Sequence, residues 1–166
     1  MINFLRKNRW AGWLLTFARV FIGIQWLEAG LGKIVSDFSS SGLINSALNG
    51  NANPHYGWFT SFLAFTTNSG ENTFLFDVLV PWGEVAVGIA LIVGLFTLTA
   101  ATFGLLMNVS FVLAGVISQN PTFILLQVLI LVGGFNAARI GLDYWATPWL
   151  RRKFTFLHND IETVRG

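Results

Sequence analysis

The stretch Phe74-Leu75-Phe76-Asp77-Val78-Leu79-Val80-Pro81-Trp82-Gly83-Glu84-Val85-Ala86-Val87-Gly88-Ile89-Ala90-Leu91-Ile92-Val93-Gly94-Leu95 decides how the chain folds. About 20 mostly apolar residues suffice to cross the hydrocarbon core of a bilayer. This run has that length, yet it carries Asp77 and Glu84. A carboxylate within such a segment needs a partner or an aqueous pocket. The expectation is a helix with lipid on one side and polar company on the other. Three further segments have the same character, at residues 10–32, 97–118 and 121–142. Leu95, Phe96 and Thr97 leave almost no loop, and Ser118-Gln119-Asn120-Pro121 is a tight turn with Pro121 suited to a first helical position. Short links make antiparallel neighbours. The predicted fold is therefore all-α, an integral membrane antiparallel four-helix bundle, with residues 1–166 forming a single membrane domain.

Composition leads the same way. The 166 residues are 54% hydrophobic, 15% aromatic and 11% charged, with mean hydropathy +0.61. Soluble domains carry roughly 25% charged residues, so this chain has too few charges to cover a water-facing surface. Its net charge is +2, and the basic residues gather at segment ends instead of along a stripe, which argues against nucleic acid as a partner. Cysteine is absent, which removes disulfides, thiolate metal sites and thiol exchange. Arg6, Lys7 and Arg9 precede the first apolar run as they would in a secretory signal. No small-residue cleavage pattern follows, and Arg19, Gln25 and Glu28 interrupt the run, so it reads as a retained helix. Arg151, Arg152 and Lys153 follow the fourth segment, whereas the long connection carries Lys33 against Asp37 and Glu71. The positive-inside tendency then places both termini and the tail 143–166 in the cytoplasm of a multi-pass protein of the plasma membrane.

The outward loop, residues 34–73, contains two helix signals. Ser39-Ser40-Ser41-Gly42 is a turn or a helix start before Leu43, Ile44, Ala47 and Leu48. The stretch Asn53-Pro54-His55-Tyr56-Gly57-Trp58 caps a second, in which Trp58, Phe59, Phe62, Leu63 and Phe65 recur at helical spacing. Both are too short to span, so they lie in the interface or fold over the outer mouth of the bundle.

Several polar residues fall within the spans. Arg19 and Glu84 sit near the middles of the first and second, and an Arg19–Glu84 pair is the simplest way to bury both charges. Asn108 and Gln127 bring hydrogen-bonding groups to a similar depth in the third and fourth. On the first helix, Arg19, Gly23, Trp26, Gly30 and Lys33 share one stripe, with glycines that let a neighbour approach. Glu28 lies nearly opposite Arg19, either exposed or on a second surface with Gln25 and Asp77. Trp82 follows Pro81 and either packs at a kink or flanks a pocket. Arg139 and Asp143, four apart, are expected to pair as a structural staple, with Tyr144, Trp145 and Trp149 as an interfacial belt. Arg19 and Glu84 admit a structural and a functional role equally. His55 and His158 fall on opposite sides of the membrane, which argues against haem, and no residue cluster has metal-ligand spacing.

The stripe Arg19-x3-Gly23-x2-Trp26-x3-Gly30-x2-Lys33 resembles the first-helix motif of the DoxX family, small four-helix membrane proteins of bacteria and archaea that include the DoxD subunit of thiosulfate:quinone oxidoreductase. Glu84 through Thr97 resembles the family's glutamate-led second helix, which ends in Gly-Leu-x-Thr. Asn136 through Asp143 is similar to its closing Arg-x-x-Leu-Asp signature, matched by Arg139, Leu142 and Asp143. The resemblance implies a prokaryotic membrane component of a redox system, with a soluble oxidoreductase subunit as partner and quinone as acceptor. A chain without thiols or evident metal and haem ligands needs a bound organic cofactor such as quinone, or a redox partner, to take part in electron transfer. Candidate ligand or proton-relay residues are Arg19, Gln25, Trp26, Glu28, Asp77, Trp82, Glu84, Asn108 and Gln127, around a pocket between the first two helices. The competing readings are a membrane scaffold for a partner protein and, in a dimer, a small transporter or proton conductor.

Overall fold

The computed structural model describes residues 2–50 and 56–153, so His55 and His158 lie outside the described residues. Within them the chain is helical, with no strand. The helices are α1 (Ile2–Lys7), α2 (Arg9–Val35), α3 (Ser41–Leu48), α4 (Gly57–Thr67), α5 (Phe74–Val93), α6 (Thr97–Leu113), α7 (Asn120–Gly133), α8 (Phe135–Ala138) and α9 (Asp143–Lys153).

Local chemistry explains the boundaries. The Asn8 side chain caps α2 by accepting from the backbone N–H groups of Trp10 and Ala11, at 2.8 and 3.3 Å. Pro121 occupies the first turn of α7, as its sequence context predicts. The expected fourth span, 121–142, is not one helix. Gly134 takes φ 58 and ψ −135, a conformation that glycine tolerates and that separates α7 from α8. The third also stops early, at Leu113, where Gly115 turns the chain at φ 94.

Two helices, α2 with 27 residues and α5 with 20, are long and apolar enough to cross a membrane by length and composition. At about 1.5 Å per residue they reach roughly 40 and 30 Å. The other two predicted spans give shorter apolar helices, α6 with 17 residues and α7 with 14.

These four helices pack in a ring: α2 on α5, α5 on α6, α6 on α7, and α7 back on α2. The α2–α5 contact is the most extensive and is antiparallel, since Gly23 meets Gly88 and Ile92 while Gly30 meets Pro81 and Val85. Backbones nearly touch there. A Cβ on Gly88 would stand 2.6 Å from the Leu27 nitrogen, and one on Gly30 would stand 2.8 Å from the Pro81 carbonyl oxygen. The loop helices behave as one of the two predicted placements. Phe59 and Leu63 of α4 join Ala47 of α3 and Ala114 in a small core that also takes in Phe76 and Leu113, so the pair folds over one end of α5 and α6.

Buried polar side chains sit among an apolar core of Leu15, Ile22, Trp26, Val87, Leu91 and Ile130, while many large apolar side chains lie outside it. Arg19, Glu84, Asn108, Gln127 and Thr97 are among the most completely buried side chains. Trp10, Trp13, Phe17, Trp82, Phe103 and Leu125 are exposed, Trp10 at 80%.

Candidate functional site: a buried ion pair beside an apolar cavity

Glu84 projects from the middle of α5 and is 1% exposed. Its partner is Lys33, whose ammonium donates to both carboxylate oxygens at 2.8 and 2.7 Å. Lys33 lies in the last turn of α2, where a lysine in a membrane helix ordinarily reaches outward to water. Here it folds inward and remains partly accessible, with 27% of its side chain exposed. Its ammonium also lies 5.6 Å from the ring centre of Phe38 and 6.0 Å from that of Phe111.

The expected Arg19–Glu84 pair is not formed. The glycine contacts fix an antiparallel register in which Arg19 faces Gly94, roughly 15 Å along α5 from Glu84. Arg19 donates instead to the carbonyl oxygens of Ala137, in the last turn of α8, and Ile140, just beyond it, at 3.1 and 2.6 Å, where helix C-termini leave carbonyls without an intrahelical partner. The expected Arg139–Asp143 staple is replaced as well. Asp143 accepts from the backbone N–H groups of Phe96 and Thr97, at 2.8 and 2.7 Å, and so caps α6. That cap offsets the strain of Phe96, held at φ 54. Asp143→Ala should therefore lower stability by about 2 kcal/mol in thermal or denaturant unfolding, while Asp143→Asn should lose less because one oxygen still accepts.

The other candidates separate into three groups. Trp26, Asn108 and Gln127 come together on the inner faces of α2, α6 and α7. The Asn108 amide donates to Gln127 at 2.8 Å, and the Trp26 indole N–H and the Gln127 amide nitrogen converge beside Gly104. Both of those donors are buried without an acceptor, and the Asn108 carbonyl oxygen is buried without a donor. Turning both amides over would give the sequence Trp26 to Gln127 to Asn108, each donating to the next. Asp77 is a fastener for the loop helices, accepting from the backbone N–H of Ser40 at 2.5 Å, its hydroxyl at 2.7 Å and the Thr73 hydroxyl at 2.9 Å. Glu28 and Trp82 are exposed and Gln25 is half-buried, so no second pocket forms around them with Asp77.

The cavity is also elsewhere than expected. The α2–α5 seam is closed by Gly23, Gly30 and Gly88. A cavity of about 560 Å³, open along one side where Leu79, Phe103 and Leu106 are exposed, lies instead between α5 and α6, beneath α3 and α4. Its walls are apolar almost throughout, with Phe59, Leu63, Phe76, Val87, Met107 and Phe111 prominent, and Ser40, Thr99 and Ser110 as polar exceptions. Phe38 and Phe111, the rings near Lys33, belong to this wall, so the ion pair lies behind it, and neither Lys33 nor Glu84 lines the cavity itself. Lys33 was visible in the sequence as the last member of the α2 stripe. Placing Gly30 opposite Pro81 and Val85 would have carried it to Glu84.

Among the described residues no group of three or more His, Asp or Glu could hold a metal ion. No protein-family model, curated protein or solved structure matches the chain.

Proposed function

We propose that the chain is a multi-pass membrane protein of the DoxX kind that binds a lipid-soluble quinone in the α5–α6 cavity. The observation that carries this reading is an apolar cavity of about 560 Å³ with the Lys33–Glu84 pair behind its Phe38 and Phe111 wall. Ligand pockets commonly measure about 300–1,000 Å³, are mostly apolar, and hold a few polar groups that orient the ligand. The cavity walls suit a ring and the start of a lipid tail. Lys33 keeps one N–H beyond those given to Glu84, which a quinone carbonyl would reach by movement of the Phe38 and Phe111 wall, and Glu84 would hold a proton inside the bundle. A bound quinone would supply the electron-accepting chemistry. A soluble oxidoreductase subunit would then be the partner that delivers electrons.

The many exposed large apolar side chains on α2, α5, α6 and α7 support insertion of all four long helices, with α7 and α8 together completing the fourth crossing. The basic residues before α2 and after α8 support a cytoplasmic location for both termini. Together with the family motifs, they support a prokaryotic plasma membrane.

Binding of a short-chain benzoquinone to the purified protein in detergent tests the proposal. Saturable binding is expected, and Ala86→Phe, which fills the cavity from an exposed wall position, should weaken it at least tenfold without loss of folded protein. No saturable binding, or equal binding by Ala86→Phe, contradicts it. The scaffold reading draws on Arg19 and Asp143, whose hydrogen bonds join α2, α6 and the α8–α9 connection without any ligand. Under that reading Ala86→Phe leaves capture of a partner protein from native membranes unchanged, and no quinone binds.

A further inference from the structure

At the opposite end of the bundle from Lys33, a second and smaller pocket of about 140 Å³ is lined by Arg9, Gly12, Trp13, Asn136, Arg139 and Ile140. Two arginines line this pocket, and among the described residues no Asp or Glu does. Asp143, the expected partner of Arg139, is committed to the N-terminus of α6. Arg9 is exposed and Arg139 half-buried, and an anion between two like charges relieves their repulsion. The α2 N-terminus does not supply the donors, because Asn8 already accepts from Trp10 and Ala11. Recognition therefore falls to the arginines, whose planar forks match phosphate oxygens.

The surroundings identify the source of the phosphate. Trp10, Trp13, Trp145 and Trp149 are exposed, with Trp13 itself in the pocket wall beside Ile140. Aromatic residues of this kind mark the headgroup level of a membrane, and basic pockets between helices at that level suit anionic headgroups. We propose that Arg9 and Arg139 bind the phosphate of an anionic phospholipid, with Trp13 and Ile140 against its glycerol and upper acyl chain. This rests on the membrane reading above.

The test uses full-length protein. Retention in carbonate-washed membranes comes first, and release into the aqueous phase would overturn the membrane reading itself. Protein retained there is then purified in an uncharged detergent and titrated with phosphatidylglycerol and phosphatidylcholine, following thermal unfolding and native mass spectra. Phosphatidylglycerol should bind about tenfold more tightly than phosphatidylcholine. The double substitution Arg9→Gln with Arg139→Gln should abolish that preference. Lys7→Gln with Lys153→Gln, which removes as much charge outside the pocket, should keep it. An equal loss in both double variants, no preference in the unsubstituted protein, or equally tight binding of inorganic phosphate would each overturn the lipid site.

Discussion

Replacing Lys33 by alanine is expected to lower the stability of the folded bundle by about 3–5 kcal/mol. The cause is the carboxylate left behind. Glu84 is 1% exposed, and both of its oxygens are satisfied by the one ammonium. Removing one member of a buried ion pair leaves an uncompensated charge, whereas replacing both by well-packed apolar side chains is often neutral or stabilising. Lys33→Met combined with Glu84→Leu should therefore recover most of the loss in unfolding from detergent micelles, followed by tryptophan fluorescence. If the pair also positions quinone, the recovered double variant should bind benzoquinone at least tenfold more weakly. A neutral Lys33→Ala would mean that water reaches Glu84 and that the pair has little structural consequence.

Gly88→Val should be comparably damaging, at about 3 kcal/mol, for a different reason. The new Cβ would meet the backbone of α2, 2.6 Å from the Leu27 nitrogen and 2.9 Å from the Gly23 carbonyl oxygen, so no rotamer change relieves it. Overpacking of ordinary cores costs about 1–3 kcal/mol because side chains shift. Here a whole helix must move, and with it the register that brings Lys33 to Glu84. Gly32→Ala is the matched control, since nothing lies within 4 Å of the added carbon. Thermal unfolding should show a large loss for the first and little change for the second. Equal losses would indicate a general intolerance of side chains on these helices in place of a specific close approach.

The residues that sequence reading placed correctly are those governed by local pattern. The apolar runs that became α2 and α5, the loop helices opening near Ser41 and Gly57, and the shared inward face of Arg19, Gly23, Trp26 and Gly30 follow from periodicity along one chain segment. The residues it misplaced depend on how one helix slides against another. Counting inward from segment ends set Arg19 opposite Glu84, whereas the glycine contacts set Arg19 opposite Gly94 and leave Glu84 to Lys33. The same close approach closed the seam in which a pocket was expected and left the cavity between α5 and α6. Arg139 and Asp143 satisfied the helical spacing rule, but the chain is not one helix between them. The Gly133-Gly134 doublet was the available sign of that break, since paired glycines commonly punctuate an apolar run.

The central proposal is that four helices, α2, α5, α6 and α7, present apolar side chains to lipid around an interior that buries Arg19, Glu84, Asn108 and Gln127. The absence of cysteine makes single-cysteine spin labelling direct. Labels at Phe17, Trp82, Phe103 and Leu125, one exposed position on each helix, would be measured in reconstituted vesicles for collision with oxygen and with a water-soluble nickel chelate. All four are expected to favour oxygen. Chelate access at Phe103 and Leu125, with only Phe17 and Trp82 shielded, would contradict the account and leave α2 and α5 as the sole crossings.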